Sequence, residues 1–327
     1  MTASTGVRIG VLGATGALGS EVLSALDASA IRVAELVASA TDRSLGEDIE
    51  FQGQIVPVAA ELPSLRGLDL LFCCAPAEAS LAALREALRA EVPVIDCSGA
   101  LLASAEVPLG VALLSPGVGA AEPVVVAPPG AALPWAIALA PLHAEAGLRR
   151  VLGTVLDAAS AAGRGGIDML SAGSLALFNQ QDPSQLDAAG PPRAFDCLPA
   201  EDAAADEAAV AVTLQRLLGV EIPVALNRIE VPAFVGQASS LAVETEQPLE
   251  PKRAEEVLAG APGIERWSGG GTGPNLRSAA GRDLVIAGPV RRDPTAAQGL
   301  LFWIATDLLR LAATNAVALA TARLAAT

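Results

Sequence analysis

Residues 7–19 read VRIGVLGATGALG. Val7–Leu12 is a short apolar run that ends at Gly13, and Gly16 and Gly19 follow at steps of three. Ser20–Leu26 then takes up helical spacing. The pattern predicts a strand, a glycine turn and a helix. Glycines allow the tight reversal and let a pyrophosphate approach a helix N-terminus, where free N–H groups and the helix dipole favour an anion. The spacing is GxxGxxG rather than GxGxxG. The motif alone therefore leaves two readings open, a dinucleotide site and a turn that no longer binds.

Outward from the turn, Arg32–Ala38 reads as a second strand and Leu68–Cys73 as another. An alanine-rich helix through Ala90 follows, with Arg85, Glu86 and Arg89 outside, and Val92–Ile95 is the next strand. This alternation predicts an α/β fold: a Rossmann-type, doubly wound nucleotide domain over residues 1–125, completed by a returning helix at 306–327. Residues 126–305 read as an α+β substrate and dimerisation domain. Its expected elements are a helix over Gly130–Ala146, a strand over Val151–Ala158, a helix from Ile167, a loop over Gln181–Arg193 and a helix over Ala203–Leu218. Val224–Val235 and Ser239–Glu246 alternate like antiparallel strands. Pro251–Leu258 is helical, residues 267–275 form a flexible turn, Leu284–Pro289 is a strand, and Leu300–Leu324 reads as one long buried helix.

The tip of the second strand bears on the cofactor. An NAD-selective site wants an acid there for the ribose hydroxyls. Ser39, Thr41 and Arg43 suit a 2′-phosphate instead, and Asp42 points the other way. The balance favours NADP and leaves NAD open.

Composition narrows the partners. The chain has 327 residues, 36 acids against 21 basic residues and a net charge of −15. Nucleic acid is excluded as a partner, because phosphate binding needs clustered Lys and Arg. The denser acidic patch Glu201–Glu207 reads as a solvated helix start. The N-terminus MTASTGVRIGVLG lacks a leader pattern and predicts a cytoplasmic protein. Residues 124–143 carry no charge before His143, yet Pro128, Pro129, Pro134 and Pro141 interrupt them. A membrane span is excluded, and a buried strand, turn and helix are expected.

The chain has no Tyr, so the short-chain dehydrogenases, which share GxxGxxG but need a catalytic Tyr, are excluded. Its one His is His143 and its one Lys is Lys252. Cys73, Cys74, Cys97 and Cys197 form no CxxC and have no neighbouring His, so no metal site is expected. Buried, reduced thiols are the ordinary reading of each.

From GATGALG onward the segments ELVASA, VPVIDCSG, AEVPLGVALLSPGVG, LDAASAAGRGGID, PRAFDCLP, IEVPAFVGQASSLAVET and GRDLVIAGPVRRDPTAAQGLLFWIATDLLRLAATNAVALA occur in order. Their order and spacing resemble the aspartate-semialdehyde dehydrogenase family nearly end to end. The resemblance implies NADPH-dependent conversion of aspartyl phosphate to the semialdehyde. It further implies a cysteine nucleophile, a histidine that shuttles protons, arginines that hold the substrate, and a homodimer formed through the second domain. It carries nucleotide contact to Gly13, Thr15, Gly16, Ala17, Leu18, Gly19, Ser39, Arg43, Cys74, Ser160, Gly163 and Asn315.

The same resemblance exposes departures. The family's Asn-Pro-Asn-Cys-Ser-Thr turn matches Ala127-Pro128-Pro129-Gly130-Ala131-Ala132, which puts Gly130 at the nucleophile. Gln237 stands at the histidine, Glu230 and Leu102 at two arginines, and Asp157 at a glutamine. Arg228 lies near Glu230 on the same strand face at another height. Glu230 and Asp157 are expected to repel an acyl phosphate. A nucleophile relocated to Cys97 is a lesser alternative, with no histidine in its local sequence, and His143 is expected to be structural. The leading reading is a member similar to the family's Usg-type branch, without acyl-phosphate reduction and with a binding or regulatory role toward a small molecule or nucleotide. One alternative is an NAD(P)-dependent oxidoreductase acting on another aldehyde or oxo substrate. A second is a structural partner with a vestigial nucleotide site.

Overall fold

The computed structural model describes residues 6–40, 47–60, 64–182, 193–200, 203–271 and 273–326. Thr41, Asp42 and Arg43, most of the 181–193 loop and Glu201 lie outside the described residues. The chain forms two compact units, Met1–Pro129 with Ala312–Thr327, and Gly130–Leu311.

The first unit contains β1 (Val7–Leu12), α1 (Ala17–Asp27), β2 (Val33–Ser39), β3 (Asp48–Phe51), β4 (Gln54–Ala59), β5 (Leu70–Cys73), α2 (Ala77–Arg89), β6 (Val94–Asp96) and β7 (Val124–Val126). Among the described residues the sheet order is β3-β4-β2-β1-β5-β6-β7. The pairs from β2 through β7 are parallel, and Leu12, Ser39, Cys73 and Asp96 stand in one row at the carboxyl ends. Ligands of such sheets bind beyond that edge. Both faces of the sheet are covered. Ile9, Val11, Phe72 and Ile95 pack with Val22 and Leu26 of α1 on one side. Leu71, Cys73 and Val94 pack with Leu84 and Ala87 of α2 on the other. The β3–β4 hairpin was not among the expected elements. Its turn is Gln52-Gly53, with φ of 51° and 72°. Two consecutive left-handed residues match the right-handed twist of the flanking strands.

The second unit contains α3 (Ala132–Ala146), β8 (Leu148–Asp157), α4 (Gly163–Phe178), β9 (Leu198–Pro199), α5 (Ala203–Leu218), β10 (Val224–Glu230), β11 (Gln237–Thr245), α6 (Pro251–Gly260), β12 (Ile264–Arg266), α7 (Leu276–Ala279), β13 (Val285–Ala287), β14 (Arg291–Arg292) and β15 (Gly299–Thr306). The chain then enters α8 (Leu308–Ala325), which runs on into the first unit. Among the described residues the sheet order is β12-β13-β15-β11-β8-β10-β9, with β14 added on β15.

One expectation is refined here and one corrected. The strands over 224–235 and 239–246 run antiparallel to one another without pairing: β8 lies between them, parallel to β10 and antiparallel to β11. A period of two reports which face a residue takes, not which strand lies alongside. The stretch 300–324 is not one helix, because its first residues are β15. Apolar residues on both faces hide the alternation, with Leu300, Phe302 and Ile304 buried and Leu301 and Trp303 half-buried between them. Asp307 marks the change, its carboxylate accepting from the Arg310 N–H at 3.3 Å in the manner of an N-cap.

The uncharged stretch 124–143 supplies β7 and most of α3. Trp135 on α3 is fully buried and donates its indole N–H to Ser239 Oγ at 2.8 Å. Among the described helices, α8 is long and apolar enough to cross a membrane by length and composition alone. Its Ala313, Ala316, Val317 and Ala320 are packed in the core of the first unit instead.

Candidate functional site

The glycine turn hangs from the tip of β2. The N–H groups of Gly13 and Ala14 donate to the Ser39 carbonyl at 2.8 and 3.0 Å. Gly13 has a φ of 81°, and a Cβ there would lie 2.7 Å from the Ala75 nitrogen and 2.8 Å from the Cys74 carbonyl carbon. A Cβ on Gly19 would lie 2.1 Å from the Gly13 oxygen. These two glycines are demanded by the crossing of backbones, whatever the turn binds. Gly16 is the N-cap of α1, and it offers no side-chain cap to the first-turn N–H groups of Ala17 and Leu18. No acid occupies that first turn. An uncapped, acid-free helix start after a parallel strand is suited to a phosphate. Thr15 sits within the turn, and Ser39 is fully buried with no hydrogen-bond partner on its hydroxyl.

Cys74 follows β5 and is half-buried, and Cys97 follows β6 and is 5% exposed. A hydrogen bond with the Cys74 thiol, followed by burial, holds the Cys97 pKa well above the usual thiol range. That keeps it protonated at neutral pH and disfavours a nucleophilic role. Asn315, on α8, accepts from the Ala112 N–H and donates to the Gly110 carbonyl, both at 2.9 Å. Its amide staples the 110–112 segment. Leu102 lies in the turn after β6, its N–H donating to the Gly99 carbonyl at 3.0 Å.

In the second unit, Ser160 and Gly163 belong to the turn between β8 and α4. A single 3-10 turn covers Ala159–Ala162, and Gly163 follows with a φ of 68°. Ser160 is buried, and its N–H donates to the Phe234 carbonyl at 3.0 Å.

The same unit gathers three of the positions at which the resemblance implies a departure. Asp157 ends β8, Glu230 ends β10 and Gln237 begins β11, and the register sets both Glu230 and Gln237 opposite Asp157. Residues 80 apart in sequence thus share one row at one end of the sheet. Asp157 is 1% exposed. Its Oδ1 accepts from Gln237 Nε2 at 2.7 Å, and its Oδ2 accepts from Nε and Nη2 of Arg228 at 2.9 and 2.7 Å. Arg228 also donates to Asp206 on α5, and Arg193 donates twice to Glu230. Burial pulls the Arg228 pKa down, but the charges and hydrogen bonds of Asp157 and Asp206 outweigh it and raise the pKa above its usual value. Asp157, Arg193, Asp206, Arg228 and Glu230 line a small cavity of about 130 Å³.

Asp157 and Glu230, expected to repel an acyl phosphate, are each matched by a guanidinium. Arg228 reaches across to β8 rather than standing in for an arginine at 230. Arg193 went unnoticed in the sequence as a site residue, although PRAFDCLP contains it. Its reach to Glu230, 37 residues away, gives it a role. Gln237 Oε1 is buried without a hydrogen-bond partner.

Gly130 lies just before α3 with a φ of 67°, and a Cβ there would meet nothing within 4 Å. The position has room for a side chain and a backbone that L residues rarely adopt. His143 accepts from the Leu148 N–H on Nδ1 at 2.9 Å, pinning the end of α3 to the start of β8.

Comparison with known proteins agrees with this architecture. The semialdehyde dehydrogenase NAD-binding domain family matches residues 8–118, and the semialdehyde dehydrogenase dimerisation domain family matches residues 139–311. Aspartate-semialdehyde dehydrogenase 2 of Vibrio cholerae is 29% identical over 325 residues, covering 96% of each chain. The enzyme of Aquifex aeolicus is 29% identical over 330 residues, covering 96% of this chain and 97% of its own. The crystal structure of aspartate semialdehyde dehydrogenase II from Vibrio cholerae, complexed with ASA, superposes with a TM-score of 0.91 at 27% identity, covering 98% and 99% of the two chains. Two successive domain matches spanning most of the chain, on a fold that carries the glycine turn, establish that this protein belongs to the semialdehyde dehydrogenase family.

Proposed function

We propose that this chain binds a nicotinamide dinucleotide at the 13–19 turn but does not carry out the acyl-phosphate reduction of the aspartate-semialdehyde dehydrogenases it resembles. Its work is then binding or regulation in the cytoplasm. The observation that carries this reading is the pair Gly130 and Gln237. Glycine cannot form a thioester, and an amide has no proton to exchange near neutral pH. Loss of a general acid–base alone costs roughly 10²–10⁴ in rate, and loss of the nucleophile removes the covalent route. The guanidinium groups of Arg193 and Arg228 are already engaged by carboxylates and leave an incoming phosphate without a matched donor. NADP is preferred over NAD in this reading, because the sequence at the β2 tip offers Ser39, Thr41 and Arg43 to a 2′-phosphate, against the single acid Asp42.

The expected assembly is a homodimer through the open face of the second unit's sheet. Thr154, Asn227, Ser240 and Ala242 line a shallow recess there. Light scattering that gave a monomer mass would remove the dimer from this reading.

The decisive assay mixes protein with aspartate semialdehyde, phosphate and NADP, beside thermal melting with NADP or NAD alone. The expected result is no NADPH and a raised melting temperature with dinucleotide. Sustained NADPH formation overturns the first half of the proposal, and no thermal shift at millimolar dinucleotide overturns the second.

A further inference from the structure

Three cysteines meet at the carboxyl edge of the first unit's sheet, and the proposed function gives no chemistry to any of them. Cys73 and Asp96 are register partners on β5 and β6. One residue further along each chain stand Cys74 and Cys97. Adjacent strands run about 4.8 Å apart. A disulfide needs Cα atoms about 4.4–6.8 Å apart. The alternation of side chains then sorts the thiols. Cys73 packs on one face with Leu84 and Val94. Cys74 and Cys97 pack on the opposite face, with Ile9, Phe72 and Ile95. The Cys97 N–H donates to the Cys73 carbonyl at 3.0 Å, and the Cys74 N–H donates to the Leu12 carbonyl at 2.9 Å, which fixes both backbones. Cys74 and Cys97 therefore share a face and a row, and Cys73 does not.

Their surroundings differ in a useful way. Cys74 is half-buried, whereas Cys97 is almost wholly covered. The Cys74-Ala75 peptide is also the surface against which Gly13 packs, too close to admit a Cβ. A covalent pull on Cys74 thus acts on the floor of the glycine turn.

We propose that Cys74 and Cys97 form a reversible redox couple, closed by peroxide, whose disulfide weakens dinucleotide binding at the adjoining turn. In the first step the Cys74 sulfur takes a hydroxyl from hydrogen peroxide, the O–O bond breaks, and water leaves with the Cys74 proton, giving a sulfenic acid. In the second step the Cys97 sulfur attacks the Cys74 sulfur, the S–O bond breaks, and the hydroxyl leaves as water with the Cys97 proton. Peroxide is reduced to two waters, and the two thiols lose two hydrogens. The surroundings that hold Cys97 protonated make its attack the slower of the two steps. The couple itself is independent of the nucleotide reading, and only its effect on binding rests on it.

The test uses the full chain in a Cys197→Ser background, which removes the exposed thiol. Protein is treated with hydrogen peroxide, alkylated after unfolding, digested and mapped by mass spectrometry. The expected result is a link between the peptides holding residues 74 and 97, lighter by two hydrogens and reopened by dithiothreitol. Cys74→Ser should lose that link and Cys73→Ser should keep it. A link that survives Cys74→Ser, or a Cys74 sulfinic acid beside free Cys97, overturns the couple. Dinucleotide titration of reduced, oxidised and re-reduced protein should show a loss of affinity on oxidation that dithiothreitol restores. Equal affinities in a fully linked sample overturn the coupling. If the reduced protein binds no dinucleotide, the functional proposal fails, while the peptide map still decides the couple.

Discussion

The turn after β1 and the row at the ends of β8, β10 and β11 do their work with different parts of the chain. The turn works through backbone: a Cβ on Gly13 or Gly19 would collide with peptide atoms, and its binding capacity lies in N–H groups. The row works through side chains, and strands hold their register whichever polar group stands at the end. In the proposed reading, Asp157, Glu230 and Gln237 can therefore stand where a family's reactive set would, while the sheet persists. Backbone function constrains sequence tightly and survives with the fold. Side-chain function is lost one residue at a time, and the fold gives no warning.

Breaking the row should have the largest effect. Arg228→Ala leaves Asp157, 1% exposed, with its charge uncompensated. Removing one partner of a buried pair costs about 3–5 kcal/mol. Urea denaturation should show that loss, and adding Asp157→Asn should recover much of it. The folded fraction should still respond to dinucleotide. A variant as stable as the parent would mean that the row is not a structural unit.

The turn gives the next effect. Gly19→Ala places a methyl 2.1 Å from a backbone oxygen, and the chain must shift to admit it. Overpacking of this kind costs about 1–3 kcal/mol. Here, unlike at Arg228, the dinucleotide response should disappear with the stability. Loss of one without the other would separate the glycine's packing role from its binding role.

The contrast also explains what the sequence disclosed. The turn was legible because glycine spacing reports backbone geometry directly, and α2 was legible because Arg85, Glu86 and Arg89 mark its outer face. The row was half legible. The positions of Asp157, Glu230 and Gln237 followed from resemblance, but their partners did not. Arg193 and Arg228 meet them only through strand register and a loop, neither of which a one-dimensional pattern encodes. The same limit hid the place of β8 between β10 and β11. At β15, two buried faces erased the alternation that would have announced a strand.

Asn315 offers a smaller test. Resemblance places it among the nucleotide contacts, and the structure ties its amide to Gly110 and Ala112. Asn315→Ala leaves a backbone N–H and a carbonyl unpaired in the first unit, at a cost of about 1–2 kcal/mol. If stapling is its whole role, the folded variant should titrate with dinucleotide as the parent does. A large loss of affinity at full folding would return it to the binding site.

Gly130→Cys should have the smallest effect on stability and bears most directly on the comparison. Nothing stands within 4 Å of the new Cβ, so the main cost comes from the left-handed backbone. That cost is about 1–2 kcal/mol. The new thiol sits at a half-buried position and should alkylate sooner than Cys97, whose surroundings hold it protonated. Yet aspartate semialdehyde, phosphate and NADP should still give no NADPH, because Gln237 remains tied to Asp157 and takes up no proton. Adding Gln237→His supplies the second missing group. Turnover in the double variant alone would place the lost activity in these two residues. Silence in both would extend the loss to Glu230 and Asp157, whose charges Arg193 and Arg228 already hold. Turnover in Gly130→Cys by itself would break the comparison, since a preserved frame would then need only one side chain to work again.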